Sequence, residues 1–149
     1  MMKRFLLVLI LAAAGALSAP AQNSLDSIRE KMAQGKVSLD YSCTIKGTPA
    51  IKSSGSICIQ RNCYSLRTAG MEIYCDGLAR WIVDREAREV CIEQAQGVAE
   101  FLDDSEAYLQ NLDELKITEV RTLPFDKDST AFVFDTEKLS ADWIVTDLR

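Results

Sequence analysis

A chain of 149 residues with 17 basic and 22 acidic side chains, 48% hydrophobic residues and no histidine is an acidic protein of globular composition. Its charge balance disfavours nucleic acid and anionic membrane surfaces as partners. The missing imidazole removes Ser-His and Cys-His nucleophile pairs, imidazole bases and His-ligated zinc, so neither enzyme activity nor a metal or cofactor is expected.

Residues 1–21 start with Lys3 and Arg4, continue through a short apolar run and end in Ala19, Pro20 and Ala21. This is the form of a secretory signal peptide cleaved after Ala21. The run is short for a membrane span, and no cysteine follows the cleavage point to take a lipid. A soluble periplasmic protein with no membrane anchor of its own is therefore expected. The leader carries two of the 17 basic residues and none of the 22 acidic ones, so the mature chain has a formal net charge of −7. Residues 22–149 are long enough for a single domain that buries roughly two thirds of its unfolded surface.

Residues 24–34 predict a helix. Leu25, Ile28 and Met32 share one face, Ser24 or Asn23 caps it, and Gly35 stops it. Val37, Leu39, Tyr41, Cys43 and Ile45 then alternate with polar residues as a first strand, which residues 47–49 end.

From residue 55 to 93 the chain reads as an antiparallel meander of five runs, 56–59, 62–68, 71–75, 79–83 and 89–93. A two-residue loop at Ala69 and Gly70 sets Arg67 against Glu72, Leu66 against Ile73 and Tyr64 against Cys75. A three-residue turn at Asp76, Gly77 and Leu78 extends the register, with Ile73 opposite Trp81 and Met71 opposite Val83. One apolar face is then expected, carrying Ile57, Ile59, Tyr64, Leu66, Met71, Ile73, Trp81, Val83, Val90 and Ile92. The other face would carry Arg67, Glu72, Tyr74, Arg80, Glu89 and Glu93.

Five cysteines in an exported chain permit disulfides. A turn at Gln60 and Arg61 places Cys58 opposite Cys63 on the polar face, a candidate bond adding about 2 kcal/mol. Cys43 and Cys75 fall on apolar faces, and Cys91 points with the polar set.

Residues 97–111 read as a helix that, with Leu112 after it, offers Phe101, Leu102, Tyr108, Leu109 and Leu112 as a lid over the sheet. Residues 115–123 alternate, 124–129 form a turn, 130–134 a partner strand and 140–147 a final strand. The class is α+β: a curled antiparallel sheet, an incomplete barrel, with an N-terminal helix and a helical lid. The spacing of Asp126, Asp128, Thr130 and Glu137 partly matches a calcium loop. It lacks the glycine at the sixth position and runs into Phe132 and Phe134, so a hairpin turn is expected instead. The aromatic set Tyr64, Trp81, Phe101, Tyr108, Phe132, Phe134 and Trp143 either lines a ligand cavity or fills a core.

The segment 72–84, with Asp76 and Gly77 followed by Trp81, Ile82, Val83 and Asp84, resembles the signature hairpin of the LolA family of periplasmic lipoprotein carriers. Gly55, the apolar strand to Ile59, Arg61 and the Tyr64 to Leu66 run are similar to the family's upstream pattern, with Leu66 where the family has Trp. Phe132 to Phe134 and Trp143 to Asp147 resemble its C-terminal end. The resemblance implies an apolar cavity between sheet and lid that holds lipoprotein acyl chains in transit to the outer membrane. It implies contact between Arg61 and the lid, and a membrane transport partner at the inner or outer membrane for handover. Leu39, Tyr41, Ile57, Ile59, Tyr64, Leu66, Met71, Ile73, Trp81, Val83, Ile92 and Phe101 would line that cavity. The alternative expectation is an envelope protein-interaction module with a fully packed core and no lipid cargo.

Overall fold

The computed structural model describes residues 28, 30–95 and 112–149. The leader, the lid segment 97–111 and Phe101 lie outside the described residues. Residues 28 and 30–34 are helical and form α1. Gly35 N–H donates to the Lys31 carbonyl at 3.1 Å, ending α1 at the expected glycine. Eight strands follow: β1 (Lys36–Ile45), β2 (Ile51–Gln60), β3 (Cys63–Thr68), β4 (Met71–Cys75), β5 (Ala79–Asp84), β6 (Glu89–Gln94), β7 (Leu112–Leu123) and β8 (Ile144–Asp147).

They form one sheet in the order β7-β1-β2-β3-β4-β5-β6-β8, curled and not closed. Every pairing is antiparallel except β6 with β8, which is parallel. The register of β7 on β1 shifts twice, between Ser38 and Asp40 and between Ser42 and Thr44. Glu119 and Glu114 take up these shifts with φ of 51° and 53°. Two bulges in one edge strand increase its local twist and bend.

The β3–β4 hairpin has the expected register, with Arg67 opposite Glu72, Leu66 opposite Ile73 and Tyr64 opposite Cys75. The next hairpin corrects the sequence reading by one residue. Ile73 lies opposite Ile82, and Trp81 opposite Tyr74. Asp76 is not part of the loop: its N–H donates to the Ala79 carbonyl at 3.3 Å, leaving Gly77 and Leu78 as a two-residue turn. Gly77 supplies the positive φ of 90° that the first central position of such a turn requires. Asp76 Oδ1 accepts from the N–H groups of Leu78 and Ala79, both at 2.8 Å. Since side chains alternate with period two, the one-residue change turns β5 and β6 over.

The sheet therefore has two apolar faces. On the helix face, Ile28 and Met32 of α1 pack with Val37, Leu39, Tyr41, Ile57, Leu66, Ile73 and Ile82. On the opposite face, Tyr74, Ala79, Trp81, Val83, Val90 and Ile92 pack with Phe134, Leu139 and Trp143. The last three belong to a strap, residues 124–143, that leaves β7 at one edge of the sheet and delivers β8 to the other. Thr130–Phe132 is a 3₁₀ turn in this strap, which corrects the expectation of a strand there. Phe132 is fully buried and its turn approaches β3. The final strand is shorter than expected and lies parallel to β6.

Polar contacts fasten the strap at both ends. Gln60, buried in the sheet, exchanges two hydrogen bonds with the Asp126 backbone, and Lys36 Nζ lies 2.8 Å from the Asp126 carboxylate. Further along, Phe134 meets Tyr74 with ring centroids 5.6 Å apart. Arg85 bridges from over the Phe134 ring to Glu72, at 2.8 Å, and the Tyr74 hydroxyl donates to the same carboxylate.

Gly55 marks a close approach on the helix face. A Cβ there would stand 2.1 Å from the Arg67 carbonyl oxygen and 2.8 Å from the Tyr41 hydroxyl. Gly55→Ala is expected to destabilise by about 1–3 kcal/mol through this overlap, seen as a lower urea midpoint at unchanged slope.

Candidate ligand-binding face

Cross-strand pairing arranges the helix face in rows. The first row runs Val37, Ile59, Tyr64, Cys75, Arg80 and Glu93. The second runs Leu39, Ile57, Leu66, Ile73, Ile82 and Cys91, apolar throughout and buried throughout. The third has Tyr41, Gly55 and Thr68 on one side of the β3–β4 hairpin and Met71, Asp84 and Glu89 on the other. With strands spaced about 4.8 Å apart, a row of six strands is about 24 Å wide. One leaflet of a bilayer's hydrocarbon core is roughly 15 Å deep, so an acyl chain fits within that width. Among the described residues, those meeting this face from outside the sheet are Ile28, Met32 and Ala95.

Of the predicted cavity residues, Leu39, Tyr41, Ile57, Ile59, Tyr64, Leu66, Met71 and Ile73 share this face. Trp81, Val83 and Ile92 do not: the β4–β5 register puts them in the cluster under the strap. Arg61 lies at the β2–β3 turn, and its guanidinium sits 4.6 Å from the Phe125 ring centroid, so the partner it shows is the strap. Cys91, expected among polar groups, is buried on the helix face beside Ile82.

Arg80 is the functional candidate that sequence reading missed. The corrected register moves it from the polar face into the first row, where it is only 7% exposed. Its Nη2 meets Glu93 Oε2 at 2.5 Å. Among the described residues its Nε and Nη1 have no hydrogen-bond partner of normal geometry, though Tyr64 lies close enough to add to the rise of its pKa. Leaving a buried donor unmatched costs about 1–3 kcal/mol. Burial works against the guanidinium charge, but Glu93 outweighs it and raises the Arg80 pKa above the ordinary value. Tyr64 lies against the same group, and burial pushes its phenol up to about 12. The Cys75 thiol, paired opposite Arg80, is also pushed up by burial. These groups stay protonated at neutral pH, so the polar end of the face presents N–H, O–H and S–H donors and one carboxylate. It offers no activated nucleophile.

The Cys58–Cys63 pairing is corrected as well. The turn lies at Arg61 and Asn62, with Arg61 at φ 54°, so Cys58 pairs with Ser65 and Cys63 with Gln60. The two cysteines are diagonal neighbours, a relation of about 7–8 Å that a disulfide does not span without backbone movement. All five cysteines are free thiols. Alkylation of the native protein is expected to modify half-buried Cys58 and Cys63 before buried Cys43, Cys75 and Cys91, as peptide mapping over a labelling time course reads directly. Recovery of a bond between Cys58 and Cys63 would contradict this register.

An open groove of about 340 Å³ lies on the other side of the sheet, beyond the strap, lined by Ser42, Thr44, Lys52, Ser54, Glu114 and Lys116 among others. Its walls are mainly hydroxyls and charges, which suit water better than an apolar ligand. No described helix is long and apolar enough to cross a membrane. No protein-family model and no curated protein matches the chain.

Proposed function

We propose that this protein is a non-enzymatic periplasmic carrier, similar to the LolA lipoprotein carriers, that holds acyl chains of a lipid or lipoprotein against the helix face. The observation that carries this reading is the pair of rows from β1 to β6, apolar but for Arg80 and Glu93, in a sheet whose other face already has the strap as its cover. The apolar side chains of these rows are buried but for half-buried Ile59, so an acyl chain would bind by displacing groups now packed on them. Each chain methylene transferred from water contributes about 0.8 kcal/mol. The leader sends the chain to the periplasm, and release would occur at a membrane transport partner.

Titration with an apolar fluorescent probe tests the reading. Ile59→Gln and Met71→Gln, at half-buried positions of the helix face, are expected to weaken uptake about tenfold. Leu139→Gln in the strap is expected to leave it unchanged. A wild-type protein that ignores the probe would overturn the proposal.

A second reading has its own observation. β8 is an edge strand whose Ile144 and Val145, with the following Leu148, are exposed. Ile144 and Leu148 donate their N–H groups to the carbonyls of Arg88 and Ile92, which leaves the intervening Val145 and Asp147 amides facing outward. Such an edge accepts a partner's strand. Val145→Pro would abolish that interaction without touching the acyl face, as pull-down of a captured envelope partner would report.

A further inference from the structure

We infer that β8 is a self-pairing edge, at which two copies of this chain join antiparallel about a two-fold axis through Thr146 and make one sheet continuous across the dimer. The inference rests on the reading of β8 as an open edge and is independent of the acyl face.

The sheet has two edges, and only one of them is guarded. β7 is bulged twice on β1, holds Glu114 and Glu119 at positive φ, and carries the charges of Asp113, Lys116 and Arg121. Bulges and charges are the devices that keep an edge strand from pairing. β8 runs on β6 in unbroken register and has no proline, glycine or lysine. Its single charge, Asp147, is held by Arg149, whose Nε and Nη2 lie 2.9 and 2.7 Å from the carboxylate. Ile144, Val145 and Leu148 are 59%, 45% and 64% exposed, so apolar surface lies beside the outward backbone groups. Because the β7 edge is closed to pairing, a copy added at β8 cannot propagate into a filament, and assembly stops at a two-fold dimer.

The edge fits itself. With the axis at Thr146, Val145 of each copy lies opposite Asp147 of the other, and these outward-facing residues exchange backbone hydrogen bonds. Thr146 meets Thr146 of the other copy in a non-hydrogen-bonded pair, where strands come closest and facing threonines interact well. The parallel register puts Ile144 and Thr146 on the side of Glu89 and Cys91, the helix side, and alternation puts Leu148 there too. Ile144 of each copy then lies opposite Leu148 of the other, and the exposed apolar side chains of that side find apolar partners. An axis at Val145 would set Leu148 against Asp142, and an axis at Asp147 would set two carboxylates opposite each other. This self-match selects a second copy over an unrelated strand. A single short strand is far smaller than a standard interface, so the dimer is a weak one, with a dissociation constant of about 100 μM.

Sedimentation equilibrium of the mature protein over a concentration series reads the association directly. Val145→Pro removes an outward N–H, twice over by symmetry, and is expected to weaken the dimer about thirtyfold. Thr146→Cys tests the register without disturbing the backbone. Residues of a non-hydrogen-bonded pair stand close enough for a disulfide, so mild oxidation is expected to give a covalent dimer whose peptide map joins position 146 to position 146. Val145→Cys is expected to give no such link between its two positions 145. A wild type that stays monomeric up to about 1 mM, with no link at position 146, would overturn the self-pairing. Hydrogen exchange of the dilute monomer then tells whether the edge reading falls with it: fast exchange of the Val145 and Asp147 amides leaves the edge open for a foreign strand, and slow exchange means that the edge is covered by its own chain.

Discussion

Trp81→Ala is expected to destabilise the protein by about 3–5 kcal/mol. The indole is 8% exposed and lies in the cluster of Tyr74, Ala79, Val83, Val90 and Ile92 on which Phe134, Leu139 and Trp143 of the strap close. Removing it opens a cavity between sheet and strap that neither backbone can collapse to fill. The total stability of a domain this size is about 5–15 kcal/mol, so the loss takes a large share. Urea denaturation reads the effect as a shift of midpoint. The strap is the element expected to loosen first, with exchange of the amides that tie β8 to β6. A Trp81→Ala protein of nearly wild-type stability that had lost probe uptake would return Trp81 to the ligand face and contradict the β4–β5 register.

Arg80→Met is the second large effect, an expected loss of about 3 kcal/mol. The substitution keeps most of the side-chain volume and removes the charge, leaving half-buried Glu93 opposite position 80 with no cation. The Arg80→Met/Glu93→Met protein is expected to recover most of the loss, because two apolar side chains in place of a buried pair are close to neutral. A double variant no more stable than Arg80→Met alone would assign Arg80 a packing role instead.

How far the sequence was legible follows from individual turns. The Ala69 and Gly70 loop is short, and its flanking Arg67 and Glu72 are opposite charges that pair only in one register. That hairpin was legible, as was the stop of α1 at Gly35 and the alternation of β1. The Asp76 turn was not. Asp76, Gly77 and Leu78 suit a three-residue loop by composition, yet Asp76 caps the turn with its own carboxylate and stays paired with Ala79. Hydrophobic pattern gave no check on the error, because Trp81, Ile82 and Val83 are apolar at three successive positions and both faces of β5 are buried. A strand buried on both sides has lost the signal that fixes its register.

The same ambiguity hid the candidate site. Arg80 and Glu93 look like solvent-facing charges when β5 is read in the wrong register, and become a buried pair when it is turned over. Their direct cross-strand pairing holds in either orientation and was the available signal. The strap was missed for a different reason: Phe132 and Phe134 have the alternation of a strand, but they bury themselves against β3 and Tyr74 by side-chain docking, without joining a ladder. Both chain turns that sequence reading displaced, at Arg61 and at Gly77, carry a residue at positive φ. Composition signals glycine at one of them and nothing at the other.

The central claim is that the helix face takes acyl chains, and native mass spectrometry of the mature protein purified from its own envelope tests it most directly. The account predicts a population heavier than the bare chain, which releases an ester- or amide-linked acyl species on activation. A protein recovered only at its bare mass, and unchanged after incubation with lysolipid, would contradict it.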